Sequence, residues 1–484
     1  MNDEFFAGGP DGTAAPVLFS PCGEGCIQPL THCQLTPERP VRAGSDFLWY
    51  NIPKTTLQGG IPMLQLTAQL LDRFLRYVNI PSQSRAGAPS VPSTPDQWHM
   101  AQQLEAELEV MDLENIQLSD RCVLTGMLPA NLPAGFIGTV PKIGFCCHLD
   151  TVDVNLSPQV HPQVVRNYPG GDVVLNADKN IVMKAADHPE LADYVGQDIV
   201  FTDGTSVLGA DNKAALANVM TMLQTLTDHP EIHHGDIYVA FVPDEEVGLK
   251  GSKSLDISRF PVDFAYTIDC CALGEVVYET FNAGAATVEI QGISAHPMNA
   301  KGNLVNPTLL AVDFANFFDR KETPECTEGK EGYIWIKSIQ SNASQATVQL
   351  AIRDHDKTRY EARKQTILAN VERLKDQEPR ARIRCTLEDI YGNIADAMTP
   401  DNREAVDFLY EALAELAITP KTIAMRGGTD GSWLSTQGIF TPNYFTGALN
   451  FHSRYEFLPL PSLEKSCQVT LKLVEKVFRK AAEK

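Results

Sequence analysis

Histidine and carboxylate side chains stand at the ends of several apolar stretches in this 484-residue chain, and their grouping is the first sign of chemistry. The run Ile143-Gly-Phe-Cys-Cys-His-Leu-Asp150 reads as a buried strand that ends in polar residues, with His148 and Asp150 on one face because side chains alternate along a strand. A metal-bound imidazole commonly gives its other ring N–H to a carboxylate, a part that Asp150 can play. A histidine that is simply hydrogen-bonded at a strand end explains the pair equally well. Asp211 falls between an extended stretch and an Ala- and Met-rich helix, where it is either a plain N-cap or a two-oxygen bridge between cations. Residues 236–243 form an apolar strand that runs into Asp244-Glu245-Glu246. Adjacent carboxylates repel, so a cation must be near if they share a cleft, and two glutamates can divide the work of metal ligand and general base. Further apolar stretches end in Asp269 and in His452. Two histidines and three or four carboxylates at strand ends are the inventory of a two-metal hydrolytic site.

The elements that must position these groups alternate between strand and helix, which predicts an α/β sheet with its site along one edge. Residues 64–78 space their apolar side chains like a helix face, and Thr94, Pro95 and Gln97 read as N-cap, first-turn proline and capping-box partner of a helix reaching about Leu113. A helix is expected from Asn212 to about Leu226. After Glu279 the order becomes β-α-β-β-α-β, as in a ferredoxin-like unit of about 110 residues set into the larger domain. The division is therefore 1–62 as an N-terminal extension expected to be poorly ordered, 63–280 and 393–484 as two parts of one catalytic domain, and 281–392 as the inserted unit. One explanation of the Gly-, Pro- and Cys-rich start is that translation begins at Met63.

Sixty-one acidic against 40 basic side chains give a net charge of −21, which argues against nucleic acid or an anionic membrane as partner. Neither an 18-residue apolar window nor a signal-peptide pattern is present, so a cytoplasmic location is expected. The eleven cysteines include the adjacent pairs Cys146-Cys147 and Cys270-Cys271, poor geometry for disulfides, and reduced thiols packed as small hydrophobes are the better reading. Cys22, Cys26, His32 and Cys33 are too loosely spaced for a structural zinc module. His233-His234 is expected in an exposed turn.

The strings His-Leu-Asp-Thr at 148–151, Leu-Gly-Ala-Asp-Asn-Lys-Ala at 208–214, Pro-Asp-Glu-Glu-Val-Gly at 243–248 and Arg-Gly-Gly-Thr-Asp-Gly at 426–431 resemble the motifs of the di-zinc metallopeptidases related to carboxypeptidase G and acetylornithine deacetylase. Within that family they are most similar to the tripeptide aminopeptidases of the peptidase T group, and the resemblance extends through nearly everything from Met63 onward. It implies a zinc-peptidase catalytic domain with a mixed, mainly parallel sheet, and an inserted α+β lid and dimerisation domain. It implies two Zn2+ per chain, with His148 and Asp269 on one ion, Glu246 and His452 on the other, and Asp211 bridging both. Asp150 would orient His148, and Glu245 would take the proton from the attacking water. His296 would reach an active site, of its own chain or a second one, to stabilise the oxyanion, while Arg353, Asn393 and Arg426 would hold the peptide's C-terminal carboxylate. The implied substrates are short peptides, tripeptides foremost, and the implied assembly is a homodimer. Cys270-Cys271, Met298-Asn299 and Ser453-Arg454-Tyr455 depart from the family pattern. Two other functions stay open: a dipeptidase or N-acyl-amino-acid deacylase of the same fold, and a non-catalytic binding protein. The last is disfavoured because uncompensated carboxylates in a cleft are costly.

Overall fold

The computed structural model describes residues 63–483; the extension and its Cys22, Cys26, His32 and Cys33 lie outside the described residues. Apolar runs such as Ile143–His148, Ile237–Val242 and Phe264–Cys270 become the centre of an eight-stranded mixed sheet. Its strands are ordered Glu114–Leu118, Leu124–Leu128, Ile237–Val242, Ile143–His148, Phe264–Cys270, Asn443–Phe445, Glu275–Thr280 and Lys421–Met425. The central four run parallel and are covered on both faces, which is why they lack polar alternation. Phe145 and Cys147 point into the core under the helices Met63–Val78, Ala210–Asp228 and Leu460–Ala482, while Cys146 points the other way, toward Phe260 and Leu434. The neighbouring cysteines thus belong to different faces, and both are free thiols.

Register brings the chemistry to one edge. His148 pairs with Val242, so Pro243 and the acidic residues follow immediately beyond the same edge. On the other side Cys146 pairs with Thr267, and the same register carried two residues further sets Asp269 level with His148. Parallel strands that finish together in this way leave their polar C-terminal residues in one crevice.

Residues 282–391 build a separate four-stranded antiparallel sheet, ordered Tyr333–Ser341, Gln345–Asp354, Asn282–Gln291, Arg382–Tyr391. The helices Pro307–Ala315 and Lys357–Gln377 cover one face, burying Val288, Phe314, Leu350 and Ile367 in a core of their own. This is the ferredoxin-like arrangement. Two further small sheets, one of Pro162–Val165, Ile199–Thr202 and Phe457–Pro459 and one of Val173–Asn176 with Ile181–Met183, were not expected from periodicity because their strands have only three or four residues.

Two local expectations are corrected. The helix Asp96–Val110 starts without a side-chain cap. Thr94 instead donates its hydroxyl to the Gln83 carbonyl, and buried Gln97 donates to the Asp244 carboxylate at 2.8 Å. His234 is buried rather than exposed, since its backbone pairs with Asn131. Among the described residues no helix is long and apolar enough to cross a membrane.

The strand that delivers His148 leaves no spare room. A Cβ on Gly144 would lie 2.3 Å from the buried Phe260 ring. Gly144→Ala is expected to lower stability by about 1–3 kcal/mol through overpacking, measured by urea unfolding; an unchanged midpoint would show that Phe260 can move aside.

Candidate active site

Asp211 stands at the centre. The helix that contains it is preceded by Gly209, and Asp211 itself has an extended backbone, with φ −78° and ψ 100°. It is therefore not a side-chain cap: its Oδ1 lies 2.9 Å from His148 Nε2 and its Oδ2 lies 3.1 Å from His452 Nε2. One carboxylate thus faces two imidazoles, one from the strand Ile143–His148 and one from a loop near the C-terminus. Asp269 Oδ1 is 3.8 Å from His148 Nε2, and Glu246 Oε1 is 2.9 Å from His452 Nε2.

Three overlapping sets of possible metal ligands result, each with donor atoms within 4.8 Å of one another: His148, Asp211 and Asp269; Asp211, Glu246 and His452; and His148, Glu245 and Glu246. The first two share Asp211 and contain all five residues expected as ligands. The donor set fits cations by a second measure, the protonation that the side chains adopt on their own. Burial and the charge of Asp211 push Glu246 up to about 7 and Asp269 up to about 6. Hydrogen bonds that its ring donates to the carboxylates of Asp211 and Glu246 lift His452 to about 10. Burial works against the His148 imidazolium, yet the carboxylates of Asp150, Asp211 and Asp269 hold its pKa well above the usual range. Upward shifts of this kind belong to a site whose ligands must release protons to take a metal.

Asp150 organises the two sides. His148 Nδ1 lies 2.9 Å from the Asp150 carbonyl, which can only accept, so Nδ1 carries the hydrogen and Nε2 is turned toward Asp211. The Asp150 carboxylate, fully buried, accepts the backbone N–H of Glu245 at 2.9 Å and of Glu246 at 3.3 Å, and its Oδ1 lies 3.4 Å from His148 Nδ1. A single aspartate therefore fixes the imidazole and the adjacent glutamates. Burial, with the charges of Asp269, Glu246 and Asp430, pushes Glu245 well above the ordinary carboxylate range, so this side chain is able to hold a proton near neutrality.

Residues that were not singled out as site residues complete the arrangement. Asn212 donates to the Asp269 carboxylate at 3.0 Å and to the Ile268 carbonyl at 2.8 Å. Lys213, 1% exposed, has its pKa lowered to about 7 by burial despite the charges of Glu456 and Asp150. Asp430 is buried with Oδ1 unpartnered, and burial pushes its pKa up to about 7. Asp430 falls inside the 426–431 motif and Glu456 just beyond His452, so motif position was the available signal; the partners depend on tertiary contacts.

The four expected substrate contacts are not joined to this cluster by any hydrogen bond or ion pair among the described residues. His296 is on an exposed loop, where its Nδ1 accepts the Met298 amide at 3.2 Å. Arg353 donates to the carbonyls of Gly284 and Ile352 and lies over the Tyr391 ring. Asn393 is buried, accepts from Thr280 N and donates to the His355 carbonyl. Arg426 donates to the carbonyls of Gly329 and Glu331 and to Thr327 Oγ1.

The family model described as Peptidase family M20/M25/M40 matches residues 209–476. A peptidase T-like protein of Yersinia pestis is 52% identical over 407 residues, covering 84% of this chain and 97% of its own length. Peptidase T of Geobacillus sp. (strain WCH70) is 40% identical over 413 residues, covering 85% and 99%. Among solved structures, a tripeptidase of Staphylococcus aureus has the same fold, with a TM-score of 0.65 and 23% identity over 85% of this chain and 99% of that one.

Chelator-stripped protein returned to zinc is expected to retain about two ions per chain by elemental analysis, and His452→Ala about one. One ion or none in the unaltered protein would contradict the shared-Asp211 geometry.

Proposed function

Because the chain belongs to peptidase family M20/M25/M40, we propose that it is a two-metal tripeptide aminopeptidase. It hydrolyses the first peptide bond of a tripeptide and releases the N-terminal residue. The observation that carries the reading is the placement of Glu245 beside a complete ligand set, with its backbone N–H anchored on the same Asp150 that fixes His148. The peptidase T names of the relatives and the tripeptidase of like fold support the substrate class.

In this reading His148 and Asp269 would hold one ion, Glu246 and His452 the other, and Asp211 both; zinc is the proposed metal, since imidazole and carboxylate ligands suit it. When bound, the two ions would polarise the scissile carbonyl and acidify a water. Everything else falls to the chain itself. Asp150 keeps Glu245 and His148 in fixed relation. Glu245 takes the proton of the attacking water and passes it to the departing amine, a double use that its upward-shifted pKa favours.

His296, Arg353, Asn393 and Arg426 belong to the same proposal as the groups that would meet the peptide. Arg353, Asn393 and Arg426 donate to the chain's own carbonyls, so to hold a peptide carboxylate they would have to give those up. We assign a homodimer and a cytoplasmic location to the protein as part of this reading.

Zinc-loaded protein incubated with a free tripeptide, its N-acetylated form and the corresponding dipeptide is expected to release the N-terminal residue from the free tripeptide alone, read by mass spectrometry. Cleavage mainly of the dipeptide or the acetylated compound would move the activity to a dipeptidase or deacylase. Glu245→Gln is expected to keep its metal content and lose about 10²–10⁴-fold in kcat/KM; turnover near that of the unaltered enzyme would remove Glu245 from the role of base.

A further inference from the structure

Glu456 is among the most deeply buried carboxylates of the protein, at 1% exposure, and the chemistry described above does not use it. Both of its oxygens are committed to one short turn. Its Oε2 accepts the Gly209 N–H at 2.8 Å and its Oε1 accepts the Asp211 N–H at 3.0 Å. The turn is shaped to present those two groups. Gly209 is left-handed, with φ +74°, and a Cβ there would come within 3.0 Å of Thr151. Glu456 also follows His452 on the same loop, so the residue that grips the Asp211 turn stands four residues along the chain from the histidine that Asp211 faces.

The consequence weighs most on one half of the site, because Asp211 faces both histidines but only His452 shares a loop with Glu456. His148 and Asp269 extend from adjacent strands of the main sheet, and their separation is set by that register. His452 and Asp211 have no such scaffold: they come from segments 241 residues apart, His452 lies in a loop with φ +59°, and Asp211 lies in the non-helical first turn. Apart from the contact between His452 and Asp211 themselves, the backbone of the turn is held to this loop by the pair of hydrogen bonds that Glu456 accepts. Lys213, buried two residues after Asp211, ties the start of the helix to the Ile80 carbonyl at 2.6 Å.

We propose that Glu456 is a positioning residue for the second metal: by gripping the backbone of Gly209 and Asp211 it sets Asp211 Oδ2 opposite His452 and Glu246. The inference rests on the two-metal reading above. A carboxylate that merely stapled two loops would support both ions, or neither, to the same extent.

Cobalt(II) titration of the chelator-stripped full chain, followed by calorimetry and visible absorption, separates the cases. The unaltered protein is expected to take up cobalt in two steps. E456Q replaces one accepting oxygen with an NH2 group that faces a backbone N–H; it should keep the first step within a few-fold and weaken the second by roughly 10–100-fold, the usual effect of removing a group that orients a ligand. The unfolding temperatures of the two metal-free proteins should agree. An unchanged second step would overturn the proposal. So would equal weakening of both steps with a lowered unfolding temperature, which is the signature of a loop staple. Uptake of fewer than two ions by the unaltered protein would instead overturn the two-metal reading itself. Should E456Q not yield folded protein, E456D keeps both oxygens on a shorter arm and is expected to weaken the second step selectively; unchanged uptake would again overturn the proposal.

Discussion

Asp211 gives one carboxylate oxygen to His148 and the other to His452, and this bridge sets the terms for everything around it. Bringing Asp150, Asp211, Glu245, Glu246 and Asp269 together inside a protein is unfavourable unless positive charge is supplied. The carboxylates around His148 and His452 raise both imidazoles above their usual range, the direction in which protons stand in for that charge. The charge imbalance is what makes the site a receptor for cations. It also leaves Glu245, which has no imidazole in hydrogen-bonding contact, able to accept and release a proton.

Backbone architecture produces this concentration of charge. Parallel strands end together, and their register sets His148 level with Asp269 and one step before Pro243. Asp150 then converts proximity into fixed geometry, since its backbone carbonyl orients His148 while its carboxylate takes the N–H groups of Glu245 and Glu246. On the next layer out, Gln97 and Ser93 bind the carboxylate of Asp244, whose φ of +58° starts the turn that presents the two glutamates. His452 alone among the five residues proposed as ligands is substantially open to solvent, at 47% of its side chain.

Much of this was legible in the sequence because the informative pattern is local. An apolar run that stops at a histidine or an acid says both that a strand is buried and where its edge lies, and that holds for His148, Glu245 and Asp269 alike. The two readings of Asp211, cap or bridge, could not be separated by spacing, because an N-cap and a strand-to-helix ligand occupy the same place in a chain; only the position of His452 decides. Thr94 and Gln97 misled for a related reason. Their order suits a capping box, yet the demand of buried Asp244 for donors outweighs the helix end. Glu456, Asn212 and Asp430 act through partners far away in sequence, and the small strands between 162 and 202 are too short for any period to show. Arg353, Asn393 and Arg426 were singled out by resemblance, and the structure shows where their donors rest: on carbonyls that stitch the 282–391 unit to itself and to the sheet domain.

The central claim is that one carboxylate lies between two cations. Anomalous X-ray diffraction from zinc-loaded crystals, collected on both sides of the zinc edge, tests it without reference to turnover. The account predicts two peaks flanking Asp211, one beside His148 and Asp269 and the other beside Glu246 and His452. A single peak, or two peaks that do not share Asp211, would contradict it.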